Sequence, residues 1–230
     1  MSLNWTSVKS LAIPVGGTAR DVKRVSIGGS VVWEKSSPLP YDAEVEYLES
    51  TGTQYIATGV YTTGPMTFRL SATFTPTWSE NDFFGGYTAQ KNGNVVCGIY
   101  GTFAFGFNNP NTRIDSAQLG SAEMYADIEY ALGESSRTLT VNGTTYSGTG
   151  ATYNTANEVL VFRANPAANG AMKLHAFKIL DAQGNLVRDF VPVRVGTVGY
   201  LYDRVSGALF GNVGTGAFGY GGDLPYSIGG

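Results

Sequence analysis

With 230 residues, 43% of them hydrophobic, the chain can bury one substantial core, alone or with a small appendage. A formal net charge of −3 and a pI near 5.2, without any basic stripe, exclude the electrostatic attraction on which non-specific nucleic-acid binding depends. No apolar run approaches the roughly 20 residues that would cross a bilayer, so membrane insertion is not expected.

Only 14% of the residues are charged, and 31 glycines, 14 tyrosines and 12 phenylalanines favour strands over helices. Met1-Ser2-Leu3-Asn4-Trp5 lacks the basic-then-apolar order of a signal peptide. Residues 1–35 read as a first unit. In it Val8, Leu11 and Ile13 lead into Pro14-Val15-Gly16-Gly17, and Gly28-Gly29 separates Val25 and Ile27 from Val31-Val32-Trp33. Paired glycines between β-branched runs accept positive φ cheaply and mark a hairpin. Three or so short strands are expected there, too few for a core, so the unit should dock on the main domain, another copy or a larger assembly. Residues 36–43, with Pro38 and Pro40, read as a semi-extended linker that cannot pair in a central strand.

Residues 44–222 then read as about a dozen strands. Glu44 to Glu49 opens the series, Ser50-Thr51-Gly52-Thr53 turns, and Gln54 to Thr58 continues it. The cleanest alternation sets Phe68, Leu70, Ala72 and Phe74 against Thr67, Arg69, Ser71 and Thr73, apolar face to a core and polar face to solvent. Met124 to Leu132 sets Tyr125, Asp127 and Glu129 against Ile128, Tyr130 and Leu132. Asn142-Gly143, the preferred type I′ pair, predicts a hairpin between Thr138–Val141 and Thr144–Tyr146. Asp189 to Phe218 nearly alternates too, with a hairpin turn at Arg204-Val205-Ser206-Gly207. The glycine-rich end, with a tail at 223–230, is expected to be loosely held. So many antiparallel strands need two packed sheets to hide their apolar faces. The predicted fold class is all-β: a two-sheet antiparallel jelly-roll sandwich preceded by a small N-terminal β module.

Val45-Glu46-Tyr47-Leu48-Glu49-Ser50-Thr51-Gly52-Thr53-Gln54-Tyr55-Ile56 resembles the opening strand pair of a concanavalin A-like, laminin-G-like jelly roll of the kind found in phage and gut-bacterial structural proteins. Later pieces match in order: Leu139 to Thr144, Leu174 to Ile179, Arg188 to Arg194, Leu201-Tyr202-Asp203 and Phe210-Gly211-Asn212. The resemblance runs over residues 44–222. The leading unit, Val15 to Lys23 with Ile27 to Glu34, resembles short β modules at the front of phage tail and other virion proteins. The resemblance implies fold before ligand, because this sandwich hosts enzymes, sugar binders and scaffolds. It further implies a virion-associated, lectin-like homo-oligomer whose partner is a glycan or a virion or cell-surface protein. The expected location is a virion or extracellular surface, or the cytoplasm during assembly.

Candidate chemistry is sparse. Retaining glycosidases of this fold carry Glu-x-Asp-x-x-Glu or a close variant on one strand. Here Asp127 and Glu129 share a face, but the nearest preceding acid, Glu123, is four residues before Asp127. Solvated strand carboxylates explain them more simply, and no catalytic residue is assigned. The lone cysteine, Cys97, reads as a small buried hydrophobe, and the lone histidine, His175, as a strand residue on a sheet face. Asn108, Asn111 and Asp115 are candidate oxygen ligands for Ca²⁺, against the plainer reading of turn-forming asparagines. Sugar recognition needs aromatic faces beside polar side chains. Trp78 with Asn81 and Asp82, Tyr87, and Tyr153 with Asn154 are the carbohydrate-binding candidates. The expectation is a non-enzymatic binding module. A purely structural decoration or tail component and a divergent glycoside hydrolase or lyase are the alternatives.

Overall fold

Every second residue of Met66–Phe74 is buried and the ones between are not, as a strand with one face on a core requires. The same alternation marks Met124–Leu132 and Ser136–Val141. The computed structural model describes residues 12–15, 18–21, 24–27, 30–34, 39–74, 81–87, 93–99, 102–107, 109–116, 123–149, 157–165 and 168–225. Among them there is no helix. The chain divides into two compact units, Met1–Leu39 and Pro40–Gly230.

The first unit holds β1 (Ala12–Val15), β2 (Thr18–Asp21), β3 (Arg24–Ile27) and β4 (Ser30–Glu34). They form two separate antiparallel ribbons, β1 with β2 and β3 with β4. Val15 lies opposite Thr18 and Ile27 opposite Ser30, so each connection spans two residues, both glycine in sequence.

The second unit opens with β5 (Ala43–Glu44), β6 (Leu48–Ser50), β7 (Ile56–Tyr61), β8 (Met66–Phe74), β9 (Asn81–Tyr87), β10 (Gly93–Ile99), β11 (Thr102–Phe107) and β12 (Asn109–Asp115). It continues with β13 (Met124–Leu132), β14 (Ser136–Val141), β15 (Thr144–Thr149), β16 (Glu158–Val161), β17 (Arg163–Asn165) and β18 (Ala168–Asn169). Last come β19 (Met172–Leu180), β20 (Leu186–Val195), β21 (Val198–Asp203), β22 (Ala208–Phe210) and β23 (Gly219–Tyr220). The smaller sheet runs β12-β11-β10-β9-β16-β7. The larger runs β15-β14-β13-β8-β19-β20-β21-β22, with β6, β23 and β5 added alongside β19 and β20. β17 and β18 form a small ribbon of their own.

The sheets face each other through aromatic rings. Phe84 of β9 meets Phe68 of β8 at 5.3 Å and Phe177 of β19 at 5.0 Å between centroids, and Phe83 meets Phe74 at 4.5 Å. Across the inner face of the larger sheet Tyr130, Phe68, Phe177 and Phe190 stack in a row 6.3–6.5 Å apart. Such offset and edge contacts add to the area these rings bury. The two-sheet antiparallel sandwich is therefore as the alternation predicts.

Several local expectations change. The opening strand pair does not pair with itself: β6 joins β19 and β23, whereas β7 joins β16 in the other sheet. The crossing is held by buried Gln54, whose Oε1 accepts from Ser50 Oγ and the Thr51 amide and whose Nε2 donates to the Ala217 carbonyl. The linker is shorter than residues 36–43, because Asp42 N–H donates to Arg194 O and Ala43 lies in β5. The end of the chain is not loose as far as Leu224. β23 pairs with β6, Asp223 bridges Val45 and Leu224 N–H donates to Glu44 O; residues 226–230 lie outside the described residues. Asn109 to Asp115 is strand β12, where turn-forming asparagines are the plainer sequence reading, and Asn81 and Asp82 open β9. Pairing with β11 and β10 supplies the ladder bonds that override composition there.

Candidate functional site

The inner residues of β8 and β13 are buried, so the residues between them lie on the outer face of the larger sheet. Register sets them in rows. Glu129 lies opposite Arg69, which lies opposite Lys178, which lies opposite Asp189. One row along, Asp127 lies opposite Ser71. The next row brings Tyr125, Thr73, Lys173 and Glu49 together. Successive rows are about 6.6–6.8 Å apart along the strands.

β19 breaks this lattice at one point. Its register against β8 shifts between Leu174 and Ala176, leaving His175 without an opposite residue. A bulge of this kind re-aims a side chain. Here it turns the imidazole between the Ser71 and Thr73 rows. His175 Nδ1 lies 2.8 Å from the Glu46 carbonyl, which can only accept, so Nδ1 carries a proton. In the neutral ring Nε2 then accepts from the Thr73 hydroxyl, at 2.9 Å. The Tyr47 ring meets the imidazole edge-on at 5.9 Å, and the Tyr125 ring lies 5.4 Å away on its other contact. Three rings from three segments thus share one surface.

Tyr125 is 50% exposed on a central strand. Its hydroxyl donates to Asp127 Oδ1 at 2.9 Å, and Ser71 Oγ donates to the same oxygen at 2.6 Å. Ser71 draws the phenol pKa down, but burial and the hydrogen bond and charge of Asp127 together raise it above its ordinary value. The phenol is therefore a hydrogen-bond donor at neutral pH. Asp127 Oδ2 has no partner among the described residues. Beside it Arg69 Nε is 2.7 Å from Glu129 Oε2. Lys173 Nζ is 2.8 Å from Glu123 Oε1 and 5.4 Å from the centre of the Tyr47 ring; its hydrogen bond to Glu123 raises its pKa. A recess of about 260 Å³ opens between Arg69, Ser71, Asp127, Glu129, Thr140 and Gly143. It is smaller than a site that engulfs a drug-sized molecule.

Trp78, Tyr153, Asn154 and Asn108 lie outside the described residues. Asn81, Asp82 and Tyr87 are placed along β9 of the smaller sheet, and Asn111 and Asp115 along β12; their side chains lie outside those described. Among the described residues no group of three or more His, Cys, Asp or Glu is arranged to hold a metal ion. Sequence reasoning places Tyr125, Asp127 and Glu129 on one face and misses their neighbours. The available signal is a tyrosine and two acids at successive outward positions of one strand. What brings Ser71, Thr73, His175 and Tyr47 beside them is strand pairing and a bulge. As for glycosidase chemistry, the position two before Asp127 is Tyr125, and Glu129 is engaged by Arg69.

No family model matches the chain, and no curated protein matches it. Solved structures do. A heptameric SAP-like pentraxin from Limulus polyphemus is similar over 63% of this chain and 78% of its own, at 9% identity and a TM-score of 0.44. Domains LG4-5 of the mouse laminin α1 chain are similar over 69% of this chain and 49% of their own, at 12% identity and a TM-score of 0.46. The CBM40 of a Ruminococcus gnavus IT-sialidase, solved bound to α2,6-sialyllactose, is similar over 60% of this chain and 92% of its own, at 11% identity and a TM-score of 0.40.

Proposed function

We propose that the protein is a non-enzymatic, lectin-like module that binds a glycan on the outer face of the larger sheet. The observation that carries this is Tyr125: a half-exposed ring on a central strand, flanked by Asp127, Ser71, Thr73 and His175. Sugars present C–H faces that stack on aromatic rings and hydroxyls that need both donors and acceptors. A shallow site of this kind binds weakly alone. Display in several copies through the N-terminal unit, on a virion or other extracellular surface, would raise effective affinity without new contacts.

A glycan array probed with the full chain tests the reading. Binding to a defined set of glycans is expected, and Tyr125→Ala should weaken it by about tenfold, the worth of one lost ring contact. An array that stays silent, or turnover of a polysaccharide by the wild type, overturns the proposal. A second reading, a structural component that packs against neighbours, draws on the exposed Val195 and Val198, which lie directly opposite each other in the β20–β21 hairpin.

A further inference from the structure

The outer face has a charge pattern that bears on which glycan it takes. Among the described residues its cations are each matched to a carboxylate: Arg69 to Glu129 at 2.7 Å, Lys173 to Glu123 at 2.8 Å and Lys178 to Asp189 at 3.4 Å. Asp127 and Glu46 lie on or beside the same rows without a cation of their own among those pairs, and Glu49, opposite Lys173, shares that one lysine with Glu123. The surface is therefore acidic where it is not neutral. Asp127 and Glu129, one row apart, both line the recess, and among the described residues the one cation lining it is Arg69.

Resting on the glycan-binding reading above, we infer that this face selects uncharged, hydroxyl-rich glycans and rejects anionic ones. A carboxylate or sulfate entering the recess would approach Asp127 and Glu129 together. It could reach the free Nη groups of Arg69, but Arg69 already offsets Glu129, so the charge of Asp127 stays unbalanced beside it and the anion meets a like-charge cost. A hydroxyl meets no such cost. It can donate to Asp127 Oδ2 or Glu129 Oε1, neither of which has a partner among the described residues, and accept from the Arg69 Nη groups. Thr140 and Thr145, 2.9 Å apart through their hydroxyls, continue the polar row towards the edge strand. Vicinal hydroxyls of a pyranose match this alternation of acceptors and donors, and the exposed Tyr125 ring offers the apolar surface such a ring also needs.

The experiment uses the full chain and matched pairs of a neutral glycan and its anionic counterpart of the same length: lactose against lactose 6′-sulfate, oligoglucan against oligoglucuronan, and agarose oligosaccharides against their sulfated counterparts. Binding is measured at 20 and 200 mM NaCl. Each neutral member that binds is expected to do so at least tenfold more tightly than its anionic partner, with affinity changing less than twofold between the salts. Asp127→Ala should lose tenfold or more of the neutral affinity, and Ser71→Ala should lose part of it. Asp127→Asn should narrow the preference by raising anionic binding. Circular dichroism melts establish that each variant is folded. Anionic members that bind more tightly, with affinity falling as salt rises, overturn the inference and leave glycan binding standing. Neutral binding that survives both Asp127→Ala and Tyr125→Ala overturns the assignment to this face. If no member of any pair binds, the glycan-binding reading itself fails, and the inference with it.

Discussion

Asp203 shows how one buried side chain can shape a turn. It is fully buried at the end of β21, just before the turn at Arg204 to Gly207. Oδ1 accepts from the amides of Asp189 and Val205, and Oδ2 from the amide and hydroxyl of Ser206. Burial alone would raise its pKa, but these donors outweigh burial and hold it below the ordinary carboxylate range. A carboxyl whose pKa is depressed by folding contributes stability above its unfolded value, about 3.9, and loses it as the pH falls through the folded value. An amide can serve only one of the two donor sets. Asp203→Asn is therefore expected to cost about 2–3 kcal/mol at pH 7, or roughly 5–10 °C in melting temperature. The gap from wild type should close as the pH is taken below about 4, as thermal melts across pH 2–8 would show.

At the scale of elements, glycines that look alike in sequence do different work. Asn142 and Gly143 both have positive φ, 47° and 83°, the signature of the type I′ turn that joins β14 to β15. Nothing lies within 4 Å of a Cβ added at Gly143, so Gly143→Ala meets only the conformational penalty, about 1 kcal/mol. At Gly214 the added Cβ would strike the Thr53 carbonyl and sit 3.0 Å from the Tyr55 ring. There the 212–216 loop is docked by Val213 N–H to Tyr55 O and Thr215 N–H to Thr53 O. Gly214→Ala should cost about 2–3 kcal/mol and undock the loop, and urea titrations of the two variants should separate by that difference. Only one of these outcomes is legible in the sequence. Asn142-Gly143 announces its turn because type I′ chemistry is local. The contact at Gly214 joins residues 161 apart and leaves no local trace. The strands show the same divide. Phe68 to Phe74 and Met124 to Leu132 are read almost to their ends, because alternation belongs to each strand alone. That Ser71 faces Asp127 and Ala176, and that His175 bulges out between rows, depends on pairing partners far along the chain. For that reason the sandwich is visible in the sequence while the surface bearing Tyr125 and His175 is not.

At the scale of the molecule, the second unit has its own continuous core, from Leu48 through Phe218. A chain beginning at Pro40 is expected to melt within a few degrees of the full chain and to keep any glycan binding of a single site. On our proposal that the first unit assembles copies, the shortened chain should run as a monomer in light scattering where the full chain runs larger. Equal masses for the two would remove the assembly role from residues 1–39. The second unit also fastens its two ends together. Arg194 holds Asp223 through Nε and Nη2, and Glu46 N–H donates to Gly222 O while Gly221 N–H donates to Tyr47 O. The backbone that presents the Tyr47 ring, and whose Glu46 carbonyl accepts the hydrogen bond of His175 Nδ1, is thus sewn to the last described strand region. A tug on that end would unpick this seam before it strained the aromatic interior. The module would drop whatever lay against Tyr47 while its core stayed shut.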